Sequence, residues 1–447
     1  MSMRRLSGGM LAIGLVAGAL AVPGWSNEDP PADQVTTEAE KPASDAKSNK
    51  NIEARPIAPF VNKALGWLVE AQHTDGGWGG GSHAAQQIRD PHAVKTDPAT
   101  TAFATMALMR SGHTPTQGDF KEVVRRATLY LVEAVEKAED KGPRITDIQG
   151  TQPQVKLGQM VDTTMTAQCL ARLSAALPKK HELRPRVDKA LAKCVRKLEA
   201  SQNEDGGWNF GGGWAPVLQS SAGQQALELA EAAGQQVDRK RLDKAREYHK
   251  KNFDPQSGKI DASRGAGVEL YAFSSAQRAN ASEARAASEI VEEAKAQGKV
   301  AADAPVDADS LTRAGISAPQ AEKLASAAEQ NRKQIERLDD GQLLRGFGNN
   351  GGEEFVSFLM TSESMILAGG EQWNKWDDKM HDVLAKVQNP DGSWNGHHCI
   401  TSPVFCTAAV VQCLTADRDA ELLIAIAKKT ADNEATKTAR SGKPGKQ

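Results

Sequence analysis

The stretch KALGWLVEAQHTDGGW, residues 63–78, decides how the rest of the chain reads. It runs with helical spacing and then stops at Asp75-Gly76-Gly77-Trp78. The ending recurs: Gln72-x-x-Asp75-Gly76-Gly77-Trp78 is matched by Gln202-x-x-Asp205-Gly206-Gly207-Trp208 and by Gln388-x-x-Asp391-Gly392-Ser393-Trp394. Nine residues before each Gln stands a lysine (Lys63, Lys193, Lys379), and four before it a leucine (Leu68, Leu198, Leu384). Three copies with the same upstream pair identify an internal repeat. Its physics is local. A helix commonly ends on a residue of positive φ, which glycine adopts without steric cost. The Trp just beyond can fold back over the helix end, and the Gln can reach backbone of the neighbouring segment. The six residues Gln72, Trp78, Gln202, Trp208, Gln388 and Trp394 therefore read as structural ties between successive helices.

Lys63-Ala64-x-x-Trp67-Leu68-x-x-x-Gln72-x-x-x-Gly76-x-Trp78 resembles the QW repeat of squalene–hopene and oxidosqualene cyclases, shared more loosely with protein prenyltransferase β subunits. The two later copies keep Lys, Leu, Gln, Gly and Trp, with Lys197 and Val383 in place of the aromatic. The resemblance implies an all-α (α/α)6 toroid, six inner helices within six outer ones, over residues 56–430.

Periodicity gives a helical reading of its own. Outer helices are expected near 59–73, 119–140, 185–202, 238–253 and 372–388, and inner ones near 97–112, 160–176, 217–233, 266–280, 354–369 and 401–416. Asp97-Pro98 is a helix start, an N-cap followed by Pro in the first turn. Asp162-Thr163-Thr164 and Thr401-Ser402-Pro403 are read the same way. Residues 281–338, rich in Ala, Glu, Lys, Arg and Ser, hold strong helix formers with i,i+4 charge pairs. They are expected to form a helical insertion whose second helix supplies the missing outer element, and which is either a partner-binding arm or a solvated hairpin.

The termini differ in composition. Arg4, Arg5 and the apolar run Met10–Val22 read as a signal peptide ending at Ser26 or Ala21, with an uncleaved anchor as the alternative. Residues 27–55 carry almost no apolar side chains and are expected to be a disordered linker, as is the basic tail 431–447. A periplasmic or secreted location follows. The formal net charge of −2 over 447 residues supplies no global field for nucleic acid. Five cysteines, Cys169, Cys194, Cys399, Cys406 and Cys413, leave at least one thiol unpaired within the chain.

The resemblance also implies where chemistry would sit. Cyclases hold their proton donor in a D-x-D-D-T-A signature at the top of an inner helix. The corresponding stretch here is Asp162-Thr163-Thr164-Met165-Thr166-Ala167, which keeps the first Asp and has Thr164 where the donor belongs. A threonine hydroxyl is far too weak an acid for that step. Prenyltransferases hold zinc with Asp, Cys and His; the positions matching them are Glu353, Phe355 and Cys406, so two ligands are lost. His397-His398-Cys399 is a further candidate metal set that lacks a fourth ligand. Asp162, Glu353 and His398 remain as catalytic candidates, and Asp97, Phe103, Thr164, Phe355, Phe405 and Cys406 as candidates to line a cavity. The glycine-rich runs 346–352 and 209–214 lack phosphate-loop form, and no cofactor is expected. The reading that results is an exported toroid that binds a lipid-like, glycan or protein ligand without catalysis. The alternative is a terpenoid- or prenyl-active enzyme with a rewired site, and polysaccharide cleavage is a remoter one. Convergence of Asp97, Asp162, Glu353 and His398 on a deep apolar pocket would favour an enzyme; a plugged centre would favour binding.

Overall fold

The computed structural model describes residues 52–441, apart from 211, 349, 369 and 370. The expected signal peptide and nearly all of the linker lie outside the described residues. In chain order the helices are α1 (Pro59–Glu70), α2 (Pro98–Arg110), α3 (Lys121–Lys137), α4 (Gln152–Lys156), α5 (Val161–Ala176), α6 (Arg184–Ser201), α7 (Pro216–Ala232), α8 (Arg239–Lys250), α9 (Glu269–Ala296), α10 (Ala308–Arg313), α11 (Ala318–Glu336), α12 (Gly341–Leu344), α13 (Gly352–Ala368), α14 (Glu371–Lys386), α15 (Pro403–Leu414) and α16 (Ala420–Ser441). Among the described residues, no helix is long and apolar enough to cross a membrane.

Six of these form a closed inner ring. α2 packs on α5, α5 on α7, α7 on α9, α9 on α13, α13 on α15, and α15 returns to α2. Outside them lie α1, α3, α6, α8 and α14, each against the two inner helices it connects, and α11, packed on α9. The expected alternation of outer and inner helices is present, and α11 fills the fifth outer place against α9. The inner helix of that pair does not stop near residue 280. It continues unbroken to Ala296 because ASEARAASEIVEEAKA contains no breaker. Its far half carries a small apolar core of its own, built from Ala286, Ala287, Val291, Leu311, Ile316, Ala321 and Leu324.

The repeated corners account for ring closure. Each Trp is fully buried, and each indole N–H donates to the carbonyl of the repeat's own leucine: Trp78 to Leu68 at 2.8 Å, Trp208 to Leu198 at 2.8 Å, Trp394 to Leu384 at 2.9 Å. Each Trp backbone N–H donates 2.9 Å to a hydroxyl on the next inner helix, Thr101, Ser220 or Thr407. Each Gln side chain spans to the following outer helix: Gln72 to Val123 O, Gln202 to Arg241 O, and Gln388 to Phe60 O, the last joining the end of the ring to its start. The repeat lysines reach backwards, Lys379 to Leu338 O at 2.9 Å and Lys63 to Pro390 O at 2.5 Å. Gly76, Gly206 and Gly392 take φ of 88°, 98° and 101°. At Gly206 a Cβ would lie 2.2 Å from Lys244 O, so the corner also demands the close approach that only glycine allows.

All six inner helices start at one rim and end at the other. α2 starts as expected, with Asp97 accepting from Thr100 N behind Pro98, and α15 with Ser402 accepting from Phe405 N ahead of Pro403. Asp162 departs from its expected role. It lies inside the first turn of α5, and its side chain caps the neighbouring helix by accepting from Ala99 N. At the opposite rim, the turn Ala416–Asp419 and α16 cross the ring's end against α7, α9 and α13. α16 runs past residue 430, across a segment expected to be loose, and the linker end is tied down: Arg55 N donates 2.7 Å to Asp417, and its guanidinium pairs with Asp377 and Asp378.

Candidate functional site

The centre of the ring is packed solid. A ligand channel would leave one stripe of each inner helix open to solvent. Instead α15 is buried from Pro403 through Leu414, α5 from Val161 through Ser174, and α7 from Val217 through Glu231. Phe103 and Phe405, expected to line a cavity, stack on each other with centroids 4.8 Å apart. Phe355 and Cys406 are buried in the same packing. The Thr164 hydroxyl turns back to donate to Val161 O at 3.0 Å.

The C-terminal rim is closed by charge. Arg110 Nη2 lies 2.6 Å from both Glu363 and Asp419. Arg172 reaches Asp419 at 2.9 Å. Arg278 bridges Glu363 at 3.0 Å and Glu228 at 3.1 Å, and Arg246 meets Glu228 at 3.0 Å. Arg110 also donates to Gln412 O of α15, so the belt touches every inner helix. Here Arg110 and Arg172 overcome the opposing effect of burial and hold the Asp419 carboxyl down at about 2. Arg110, Arg278 and Arg172 do the same for Glu363, which stays below its ordinary range. Charges buried this way persist only because each is paired and hydrogen-bonded. No residue of this belt was singled out in the sequence. Its signal is an arginine or glutamate interrupting the last turns of otherwise small, apolar inner helices.

At the N-terminal rim, Asp97 and Asp162 stand side by side, and their oxygens are committed. Asp97 accepts from Gly80 N at 2.6 Å, Thr100 N and the Thr100 hydroxyl. Asp162 accepts from Ala99 N at 3.0 Å and Gln154 Nε2 at 2.7 Å. Burial, then the Asp97 charge, pushes Asp162 up to about 7. A carboxyl held by donors at both oxygens is a helix tie rather than a proton donor aimed at a substrate.

Across the rim from them is a second acidic pair in a different condition. Glu353 and Glu354 open α13, with 0% and 1% of their surface exposed. Glu353 accepts from Ile400 N at 3.2 Å through one oxygen; the other has no hydrogen-bond partner. Glu354 accepts from the Tyr271 hydroxyl at 2.5 Å and from Phe347 N at 3.1 Å through Oε1. Its Oε2 has no hydrogen bond, and His398 Nε2 lies 3.9 Å from it. Burial, then the neighbouring Glu354, drives the Glu353 carboxyl up to about 8, and burial raises Glu354 as well. Burial and Glu353 push the Cys399 thiol up to about 12, so it is not a ready thiolate.

This pair lies under an aromatic cover that the sequence reading missed. Phe347, 56% exposed, sits edge-on to Trp214 at 5.4 Å and to His398 at 5.1 Å. Trp214 carries the Lys156 ammonium 5.0 Å over its ring. Of the expected site residues, the structure brings Glu353 and His398 to one place and leaves Asp97 and Asp162 in a separate cluster. Among the described residues, no three His, Cys, Asp or Glu side chains are placed to hold a metal, so His397, His398 and Cys399 do not converge as ligands. All five cysteines are buried free thiols.

Residues 46–147 match the family described as the squalene-hopene cyclase C-terminal domain. Similar solved structures include a type II terpene cyclase, MstE from Scytonema, in its apo form: 15% identity, 80% of this chain and 97% of that one covered, TM-score 0.42. A variant of it in complex with geranylgeranyl dihydroxybenzoate gives 14% identity, 81% and 97% coverage, and a TM-score of 0.43. No curated protein matches the chain in sequence. With that match confined to residues 46–147 and a closed ring of paired helices built by its repeats, the chain resembles the squalene/terpene cyclase-like superfamily.

Proposed function

We propose that this is an exported member of the superfamily that binds its ligand without converting it, and that the ligand docks on the N-terminal rim instead of entering the ring. The observation that carries this is the filled centre: Phe103 on Phe405, buried inner helices and a belt of paired charges occupy the space a polyene would need. The absence of a free acid at Asp162 supports it, because both of its oxygens are accepting hydrogen bonds. Export rests on the charged, apolar N-terminal sequence. A second reading, an enzyme with a rewired site, draws on Glu353, whose carboxyl at about 8 is protonated at neutral pH and suited to general acid work.

One experiment separates the two. Protein recovered from the extracytoplasmic fraction, with its N-terminus read by mass spectrometry, is incubated with squalene and with prenyl diphosphates. The binding reading expects a mature start after Ser26 or Ala21 and no cyclised or prenylated product. A product that disappears in Glu353→Gln would establish the enzyme instead, and an intact N-terminus on cytoplasmic protein would remove the export claim.

A further inference from the structure

We propose that the second half of α11, residues 328–338, is a movable panel of the outer wall. It lifts from α9 while the rest of the ring stays folded, and water supplies the hydrogen bonds that the buried carboxamides lack. Its end feeds α12 and the glycine run at the N-terminal rim, yet the panel stands whether or not that rim binds a ligand.

The two halves of α11 bury different chemistry. The first half buries Ala321, Leu324 and Ala327, and Ala321 and Leu324 belong to the small apolar core of the insertion. The second half buries Gln330, Asn331 and Gln334. Asn280 Nδ2 donates 2.6 Å to Gln330 Oε1, which fixes the antiparallel register of α11 on α9. Gln334, one turn on, therefore stands level with Gln277, one turn back along α9. All five side chains are buried. Five polar atoms among them have no hydrogen-bond partner: Gln277 Oε1, Asn280 Oδ1, Asn331 Oδ1 and both ends of Gln334. An amide buried without a partner is unfavourable, because water would bond it. Lifting the first half would only expose apolar surface. Lifting the second half lets water bond atoms that the closed state leaves short. Other outer helices do not share this chemistry: α3 buries Val124, Leu131 and Val135, and α6 buries Leu191, Val195 and Leu198.

The outer wall is also tied differently here. Gln72, Gln202 and Gln388 link α1 to α3, α6 to α8 and α14 to α1. The segment after α8, Asn252-Phe253-Asp254-Pro255-Gln256-Ser257-Gly258, lacks the tryptophan of those corners. On that side the panel is held by Arg337 to Gly258 O at 3.1 Å and by a long 3.5 Å contact from Gln330 to Phe253 O. On the other side Lys379 reaches Leu338 O at 2.9 Å, and Lys375 pairs with Asp339 in an exposed ion pair that contributes little. A crevice of about 20 Å³ lies on the same flank, lined by Ile335, Leu338, Met365 and Trp376. That is room for one water beside the panel.

The test is deuterium exchange of the full chain at pH 7.5, resolved by peptide mass spectrometry and corrected for intrinsic rates. Local opening shows as exchange faster than global unfolding allows. Amides of 330–338 should exchange at least tenfold faster than those of 322–328 in the same helix. They should also exceed by tenfold those of 194–201, the closing turns of α6, which control for fraying. Dilute urea should leave the panel's rate nearly unchanged, since a local opening exposes little surface. Gln334→Met and Asn331→Leu, which replace unbonded amides with apolar groups, should each slow the panel at least threefold and leave 194–201 as they were. If neither variant folds, the comparison within the parent chain decides. Equal protection in the two halves of α11, a panel no faster than the end of α6, a steep urea dependence, or unchanged exchange in both folded variants would overturn the proposal. Ordered water would then satisfy the carboxamides in a wall that stays closed.

Discussion

Helix α13 carries three buried glutamates, and its two ends treat them in opposite ways. Glu353 and Glu354 sit in the first turn, and Glu363 follows ten residues after Glu353, a rise of roughly 15 Å. Their exposures are 0%, 1% and 3%, so burial is nearly the same. Yet the carboxyls at the start are raised, and the one near the end is lowered. The difference is partners. Glu363 has Arg110 at 2.6 Å and Arg278 at 3.0 Å, while the groups hydrogen-bonded to Glu353, backbone N–H and the Cys399 thiol, carry no charge. Desolvation acts on all three, and only the arginines reverse it. One rim is charge-matched and locks the ring. The other keeps its carboxyls raised by burial, without an arginine partner, beneath the exposed Phe347 ring.

The largest effect should come from breaking the matched rim. Glu363→Gln removes the charge that Arg110 and Arg278 share and leaves two buried guanidiniums short of countercharge. Removing one partner of a buried ion pair costs about 3–5 kcal/mol. Urea denaturation of the variant should show a loss of that order. A loss below about 1 kcal/mol would mean that the belt relaxes or hydrates, and that the two rims differ less than the geometry implies.

The same contrast explains what was legible in the sequence. The corners were, because Gln, Gly and Trp at fixed spacing act on backbone within a few residues. Trp208 to Leu198 O is a ten-residue contact that a linear pattern can encode. The ring order and the outer role of α11 followed from helix periodicity. The charged belt was not legible: Arg110 and Glu363 are 253 residues apart, and nothing local marks them as partners. Glu353 and His398 were picked out by residue type and by a glycine run. The cover was not, since Phe347, Trp214 and Tyr271 come from three separate segments that meet only when the ring closes. Asp162 was misjudged for the same reason, because its partner is the start of a different helix.

A smaller effect, opposite in sign, is expected at the unmatched rim. Glu353 has a folded pKa of about 8 against an ordinary 4.5. Between those values the folded chain keeps a proton that the unfolded chain has released. Stability therefore falls as pH rises through that window, by up to about 1.4 kcal/mol per pH unit for a single group. Glutamine in its place has no proton to lose, so Glu353→Gln should flatten the decline and be more stable than the parent at pH 8. Asp162, raised to about 7, contributes to the decline in both proteins and cancels in the difference. The belt behaves in reverse. Asp419, held near 2, contributes stability above the ordinary aspartate range that is lost as pH falls through about 2. Parallel pH profiles for parent and Glu353→Gln would show that water already satisfies the open oxygen.

The smallest effect on folding should come from the residue that best marks the difference between the rims. Phe347 is more than half exposed, and its ring meets Trp214 and His398 only edge-on. Its one contact with the acid is a backbone N–H to Glu354, which alanine retains. Phe347→Ala should therefore change unfolding free energy by no more than about 0.5 kcal/mol, as at other exposed sites. A ring this exposed, meeting its neighbours only at their edges, contributes little to folding. A loss above about 2 kcal/mol would instead make Phe347 part of the packing. The N-terminal rim would then be sealed like the other, by apolar cover where the C-terminal one uses charge.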